Sequence, residues 1–415
     1  MKDIRGAAQR ETAVEEPVAS HSEDLLVADW VKRVERSTMR EMLSLGARPD
    51  VLSFALGLPT TDLLPRHEYA AALVESLKND QSSLQLGPPF QPLKQQIVAL
   101  MAKRGVTCHE GQIFLTTGAQ QGLNLLTRLL LNDGGQVIVE ETAYTGLKMA
   151  LQPHQPKVLT VSTDPRHGIN LDEVEQLLAD GARPAFIFAM SDGHNPLGIS
   201  LSQEKRERLA VIARRHHVPV IEDDVYGLLN YDRTPIPPIR ALDDQWVFYV
   251  GSFSKILGPA LRAGWLVVPE SLVPRLSIVK DLSDIDSCTL TQRAVALYLR
   301  SDDFPRQLAD IRREFRERRD LMIRALTDHL ACARWEAPAS GLFIWLRLPS
   351  GVDTAELLKI AVERERVAFI PGRAFSFNES KQATECLRLN FTYCRRDQIE
   401  EGILRLARVL EGVIR

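Results

Sequence analysis

Short apolar runs alternate with amphipathic stretches through the middle of this 415-residue chain. Gln136–Glu140, Lys157–Val161, Pro184–Met190, Val218–Ile221 and Trp246–Val250 read as buried strands. Helical spacing of apolar residues predicts helices over Leu123–Leu131, Leu171–Leu178 and Lys205–His216, with two more upstream at 67–78 and 92–104. Near-continuous apolar strands separated by amphipathic helices predict an α/β fold, its mostly parallel sheet covered on both faces. Val51–Pro59 reads as a strand entering a turn at Gly57. Upstream of it, residues 1–21 are polar and read as an arm, and Ser22–Leu45 has helical spacing with Ser22 as N-cap.

The texture changes after about residue 300. A long charged helix over Phe304–Leu330 is followed by a strand at Leu342–Leu348, a helix at Thr354–Glu365, strands at Val367–Ile370 and Leu387–Phe391, and a helix at Asp397–Leu410. The charged run Arg312–Arg319 reads as a solvated helix face. The expected division is an N-terminal arm and helix over 1–50, a large domain over 51–300 and a small α+β domain over 301–415.

Composition narrows the function. With 45% hydrophobic and 25% charged residues and a net charge of −3, the chain has an ordinary globular balance. Acids and bases are mixed, without the basic stripe of a nucleic-acid binder, so the expected partner is a small molecule. The five cysteines form no CxxC pair, which fits free thiols, a reducing compartment and no structural zinc. The first twenty residues lack the apolar core of a signal peptide. No run approaches the roughly 20 apolar residues of a membrane span, so a cytoplasmic protein without membrane contact is expected.

In parallel sheets ligands sit beyond the carboxyl ends of the strands. Four such ends carry chemistry-bearing residues: Tyr144, then His194-Asn195-Pro196, then Asp223-Asp224-Val225-Tyr226, then Ser252-Phe253-Ser254-Lys255 with Arg262. Singly, each has an ordinary structural reading: a packed ring, a turn, an acidic cap, a surface loop. Together they point to one rim. A lysine ending a buried strand among small residues is placed like an amine that meets a carbonyl away from water. Ser252, Ser254 and Arg262 are the types that hold a phosphate beside it. That pairing suggests pyridoxal 5'-phosphate. Gly118-Ala119-Gln120 would offer backbone N–H groups to a phosphate, or would simply cap a helix.

These motifs, in this order, resemble a pyridoxal-phosphate-dependent aminotransferase of fold type I, class I and II, nearest the 2-aminoadipate and aromatic aminotransferase-like branch. The resemblance runs from about Arg40 to Arg415. It is carried by Asn195-Pro-Leu-Gly, Asp223-Asp-Val-Tyr226, Ser252-Phe-Ser-Lys255 with Arg262-Ala-Gly-Trp, Gly341-Leu-Phe-Ile-Trp-Leu, Pro371-Gly-Arg-Ala-Phe and Leu387-Arg388-Leu-Asn-Phe. It implies a seven-stranded sheet between helices and a homodimer with sites near the interface. It also implies that an amino acid and a 2-oxo acid exchange an amino group through a Lys255 Schiff base.

The resemblance assigns roles as well. Asp223 pairs with the ring nitrogen. Tyr226 and Asn195 bond the ring's phenolic oxygen, and Tyr144 stacks on its face. Gly118, Ala119, Gln120, Ser252, Ser254 and Arg262 hold the phosphate. Arg388, which on its own could equally be a structural ion-pair member, grips the substrate carboxylate, and Gly57 borders the side-chain pocket.

The chain departs from the branch at four places. Segment Leu84–Pro92 lacks the Tyr that reaches the neighbouring subunit's phosphate, His194 replaces a Gln, Thr142 a Pro, and Ser340 a Gly. The first departure motivates an alternative: a replacement, cyclisation or oxidation on the same scaffold, in a specialised biosynthetic pathway. A third reading is the sensing domain of a transcription regulator. It would require a winged-helix domain upstream, and the residues before Val51 offer no basic recognition helix.

Overall fold

The computed structural model describes residues 28–32, 48, 50–232, 234–378 and 381–414. The chain divides into two units, Met1–Glu35 and Arg36–Arg415. In the first, the described residues include a four-residue helix, Asp29–Lys32. The rest of the expected Ser22–Leu45 helix, its Ser22 cap and the 1–21 arm lie outside the described residues.

The second unit is built on a seven-stranded sheet. Its order from one edge is Ile113–Thr116, Gly264–Val267, Val247–Ser252, Val220–Asp223, Pro184–Ala189, Gln136–Glu140 and Lys157–Val161. Gly264–Val267 runs antiparallel to both neighbours, while the four pairings from Val247–Ser252 to Lys157–Val161 are parallel. Successive residues feed opposite layers. Val137, Val139, Phe186 and Phe188 enter one apolar core, and Ile138, Ile187 and Ala189 enter the other. Period-2 geometry with both faces apolar requires this arrangement.

Two extensions matter for the site. The strand expected to end at Ile221 continues through Glu222 to Asp223, and the one expected to end at Val250 continues through Gly251 to Ser252. The helix expected from Leu123 starts at Ala119, one turn earlier, with Gly118 at its N-cap. Gly122 permits that early start. A β-carbon there would come within 2.8 Å of Leu266, so the first turn lies directly on the sheet.

A four-stranded antiparallel sheet follows, ordered Arg334–Trp335, Phe343–Arg347, Cys386–Asn390, Ile370–Pro371. The single strand expected over Val367–Ile370 is two. Val367–Ala368 pairs in parallel with Leu52–Ser53, and Ile370–Pro371 joins the four-stranded sheet as an edge, where proline's missing donor is harmless. Segment 52–54 is thereby bonded to the C-terminal part of the chain.

The expectation for Arg312–Arg319 needs correction. Arg318 and Arg319 are buried. Arg318 caps the carbonyls of Thr392 and Cys394, at 3.0 and 2.6 Å, and Arg319 donates to that of Pro338 at 2.8 Å. Charge alone did not separate these two from the exposed arginines of the same helix. Among the described residues no helix is long and apolar enough to cross a membrane, and all five cysteines are free.

Candidate active site

The strand ends converge on a cavity of about 110 Å³. Tyr144 reaches it from beyond Gln136–Glu140, Asn195 from beyond Pro184–Ala189, and Asp223 and Tyr226 from Val220–Asp223 and its following turn. Ser252, Ser254, Lys255 and Arg262 come from the last strand and its loop, Ala119 and Gln120 from a helix start, Gly57 and Arg388 from the C-terminal sheet and the segment bonded to it. Gly118 stands just behind, where an added β-carbon would lie 2.7 Å from the Arg262 guanidinium. Met190 and Val225 also line the cavity. Met190 directly follows a strand end and Val225 comes two residues after one, a positional signal that their apolar side chains did not advertise.

Lys255 donates from Nζ to the Gly57 carbonyl at 2.8 Å. Burial, reinforced by the Arg388 and Arg262 charges and opposed by Asp223, holds its amine down at about 8. Asp223 sits at the end of its strand with Oδ1 lacking a hydrogen-bond partner among the described residues. Burial pushes its carboxyl up to about 7, against a backbone hydrogen bond from Val225 and the charges of Lys255 and His194. Tyr144 is pushed up to about 12 and Tyr226 higher still, both by burial. Both phenols therefore stay protonated and able to donate.

Arg388 is wholly buried between two rings, its guanidinium carbon 4.1 Å from the Phe343 centroid and 5.0 Å from that of Phe375. It donates to Asn195 Oδ1 at 2.7 Å and to the Ala55 carbonyl at 2.6 Å, and Nε has no partner among the described residues. Burial lowers it to about 10, so it stays charged at neutral pH. No carboxylate pairs with it among the described residues, which argues against the ion-pair reading. Phe343 and Phe375 lie within the family motifs, but nothing in their residue types marked them as a clamp for Arg388.

At the other end of the cavity, the Ser252 hydroxyl donates to that of Ser254 at 3.0 Å. Arg262 adopts a left-handed backbone, φ 48°, and donates to the Thr117 carbonyl at 3.0 Å. The helix Ala119–Leu130 begins here without a side-chain cap. Its free N–H groups, two hydroxyls and a guanidinium form a site for a dianion. A carboxylate oxygen without a partner among the described residues suits a protonated ring nitrogen, Tyr144 a ring face, and Lys255 an aldehyde. This donor set fits pyridoxal phosphate.

The departures have structural places. His194 is buried and meets Glu140 at 3.1 Å. Thr142 forms a backbone bridge with Ser376. The Ser340 hydroxyl lies 2.7 Å from that of Ser200. Phe90 presents its ring to Arg293, 4.6 Å away, while Leu84 and Leu86 are exposed. A buried network absent from the sequence reading ties down the Asp223–Tyr226 turn: Arg104 pairs with Asp224 at 2.7 Å and Asp192 at 3.1 Å, and Arg206 with Asp192 at 2.9 Å.

Residues 49–406 match the family model for aminotransferase class I and II. The chain is 32% identical over 388 residues to aromatic-amino-acid aminotransferase 1 of Thermococcus litoralis, covering 91% of this chain and 92% of the relative. It is 33% identical over 390 residues to the 2-aminoadipate transaminase of Thermus thermophilus, covering 92% and 96%. The crystal structure of Pyrococcus horikoshii kynurenine aminotransferase, in complex with PMP, superposes with a TM-score of 0.89 at 30% identity, over 95% of this chain and 99% of that one. The chain belongs to the class I and II aminotransferases, as a fold type I, pyridoxal-phosphate-dependent transaminase acting on an amino acid and a 2-oxo acid.

Proposed function

We propose that the donor is an L-amino acid with a large apolar or aromatic side chain, and that the sequence-assigned residues carry the reaction. The observation behind this is the convergence of Lys255, Asp223 and Arg388 on one cavity. Among the described residues its cations are Lys255, Arg262 and Arg388, each with a role, and none remains for a side-chain carboxylate. When bound, pyridoxal phosphate supplies an aldehyde that condenses with amines and a ring that takes up the electron pair left at the substrate Cα.

The residues do the rest. Lys255 would hold the cofactor's aldehyde carbon through Nζ. Freed by the substrate amine, that Nζ, held down at about 8 by burial, would take the proton from the substrate Cα and hand it on within the site. The Asp223 carboxylate would keep the ring nitrogen protonated. Tyr226 and Asn195 would bond the ring oxygen, Tyr144 would cover a ring face, and Arg388 would fix the substrate α-carboxylate. Gly118, Ala119, Gln120, Ser252, Ser254 and Arg262 anchor the phosphate, and Gly57 borders the side-chain pocket. Nothing among the described residues or the relatives favours the replacement, cyclisation or oxidation alternative.

The test is spectroscopic. Wild type with pyridoxal phosphate should show a visible Schiff-base band that Lys255→Ala lacks. Phenylalanine should be turned over with higher kcat/KM than 2-aminoadipate; the reverse order would reject the donor class.

The reading extends to a homodimer and to the cytoplasm. Exposed apolar side chains at Leu84, Leu86, Leu282 and Ile285, each more than two-thirds exposed, support an interface, and the free cysteines support a reducing compartment. The division into a large domain over 51–300 and a small one over 301–415 is likewise proposed, on the two separate sheets.

A further inference from the structure

A second cavity, of about 400 Å³, opens between segments 141–142 and 163–166 on one side and the four-stranded sheet on the other. Its volume falls within the roughly 300–1,000 Å³ of small-molecule sites. It shares no lining residue with the Lys255 cavity. Trp345, on the same sheet face as Arg334 and Arg347, lines it with those two arginines, and Trp335 and Leu197 complete the apolar lining.

The two arginines carry the argument. The antiparallel ladder sets Arg334 directly opposite Arg347. Like charges in that position repel. Arg347 has one carboxylate nearby, Glu385 at 3.6 Å, and Arg334 has none within ion-pair distance among the described residues. The acids lining the cavity already have partners, Arg166 of the same lining among them. Glu336 pairs with Arg166 at 2.7 Å, Asp164 accepts from the Arg166 and His167 N–H groups, and Glu141 accepts from Asn378 at 3.0 Å. An anion at this spot would relieve the repulsion, and Trp345 would take an aromatic ring.

We propose that this cavity is a second binding site, for an aromatic carboxylate, with the ring against Trp345 and the carboxylate on Arg334 and Arg347. The site adjoins the catalytic one. Trp345 packs edge-on against Phe375, centroids 5.9 Å apart, and Phe375 flanks Arg388.

The probe is phenylacetate, which has neither the amine nor the oxo group that transamination needs, titrated calorimetrically into the holoenzyme. Binding should survive Arg388→Ala, or Arg388→Lys if the alanine variant does not fold. It should weaken at least tenfold in Arg334→Glu. That variant places an acid opposite Arg347, so it keeps the fold and retains wild-type kcat and KM for the amino acid. Neutral phenylacetamide should not bind at this site. The proposal is overturned if no phenylacetate binding survives the Arg388 substitutions, or if the surviving binding is indifferent to Arg334→Glu.

Discussion

The chemistry turns on two ionisable groups shifted toward each other by burial. Lys255 sits at about 8 and Asp223 at about 7. Only the neutral amine attacks an aldehyde, so uptake of pyridoxal phosphate by the apoenzyme should accelerate as pH rises toward about 8 and level off above it. A surface-type lysine would keep accelerating toward about 10.4. Stopped-flow absorbance separates the two profiles. Asp223→Asn should retain cofactor yet lose turnover by about 10²- to 10⁴-fold, since the ring nitrogen is then no longer held protonated; steady-state assay with a cofactor:protein ratio checks both halves.

At this scale the sequence was informative where a polar residue came within four residues of the end of an apolar run, as at Asp223, Ser252 and Tyr144. It was silent on Arg104, because that arginine meets Asp224 and Asp192 only after folding brings together positions about 90 and 120 residues apart. His194 stood out as a departure, but its buried contact with Glu140 did not.

Among elements, the start of helix Ala119–Leu130 is constrained at Gly118, which has φ 80° and where a β-carbon would lie 2.7 Å from the Arg262 guanidinium. Gly118→Ala should therefore weaken pyridoxal phosphate binding and cost on the order of 1–3 kcal/mol of stability; cofactor titration and urea unfolding measure the two. A chain that kept wild-type cofactor affinity would show that the Gly118–Arg262 approach is unimportant. The long helix Asp303–His329 is tied to the C-terminal helix Arg396–Ile414 through Glu314. Hydrogen bonds from Arg396 and then Arg318 hold Glu314 down at about 2, below its ordinary 4.5.

A depressed carboxylate stabilises the fold fully above its unfolded pKa, and that contribution disappears as pH falls from about 4.5 through about 2. Glu314→Gln should flatten the pH dependence of the urea midpoint in that window and leave activity unchanged. Most helix and strand identities were legible from periodicity, but helices Thr145–Leu151, Val273–Asp281 and Thr289–Arg300 were not read. Two sheet strands, Ile113–Thr116 and Gly264–Val267, were not, because each is a four-residue run continuous with a loop motif that reads as a turn. The Val367–Ile370 run split because its halves find partners in two different sheets, information carried by residues 52–53 and 386–390.

For the whole molecule, family and fold were readable because motifs from six regions recur in order along the chain, and order is preserved in sequence. Assembly was less so, since an interface depends on which apolar residues remain exposed. Leu282 is 79% and Leu84 75% exposed, and sedimentation should show a dimer that Leu84→Asp with Leu282→Asp converts to a monomer of reduced activity. A fully active wild-type monomer would contradict the dimeric reading.

The central claim, that the cavity around Lys255 moves an amino group, is tested most directly by a single half-reaction. Holoenzyme mixed with phenylalanine, without any 2-oxo acid, should lose its Schiff-base band. It should yield one equivalent of phenylpyruvate per chain and retain the cofactor as pyridoxamine phosphate. A product formed with the amine still attached or lost as ammonia, and the cofactor still an aldehyde, would contradict the account.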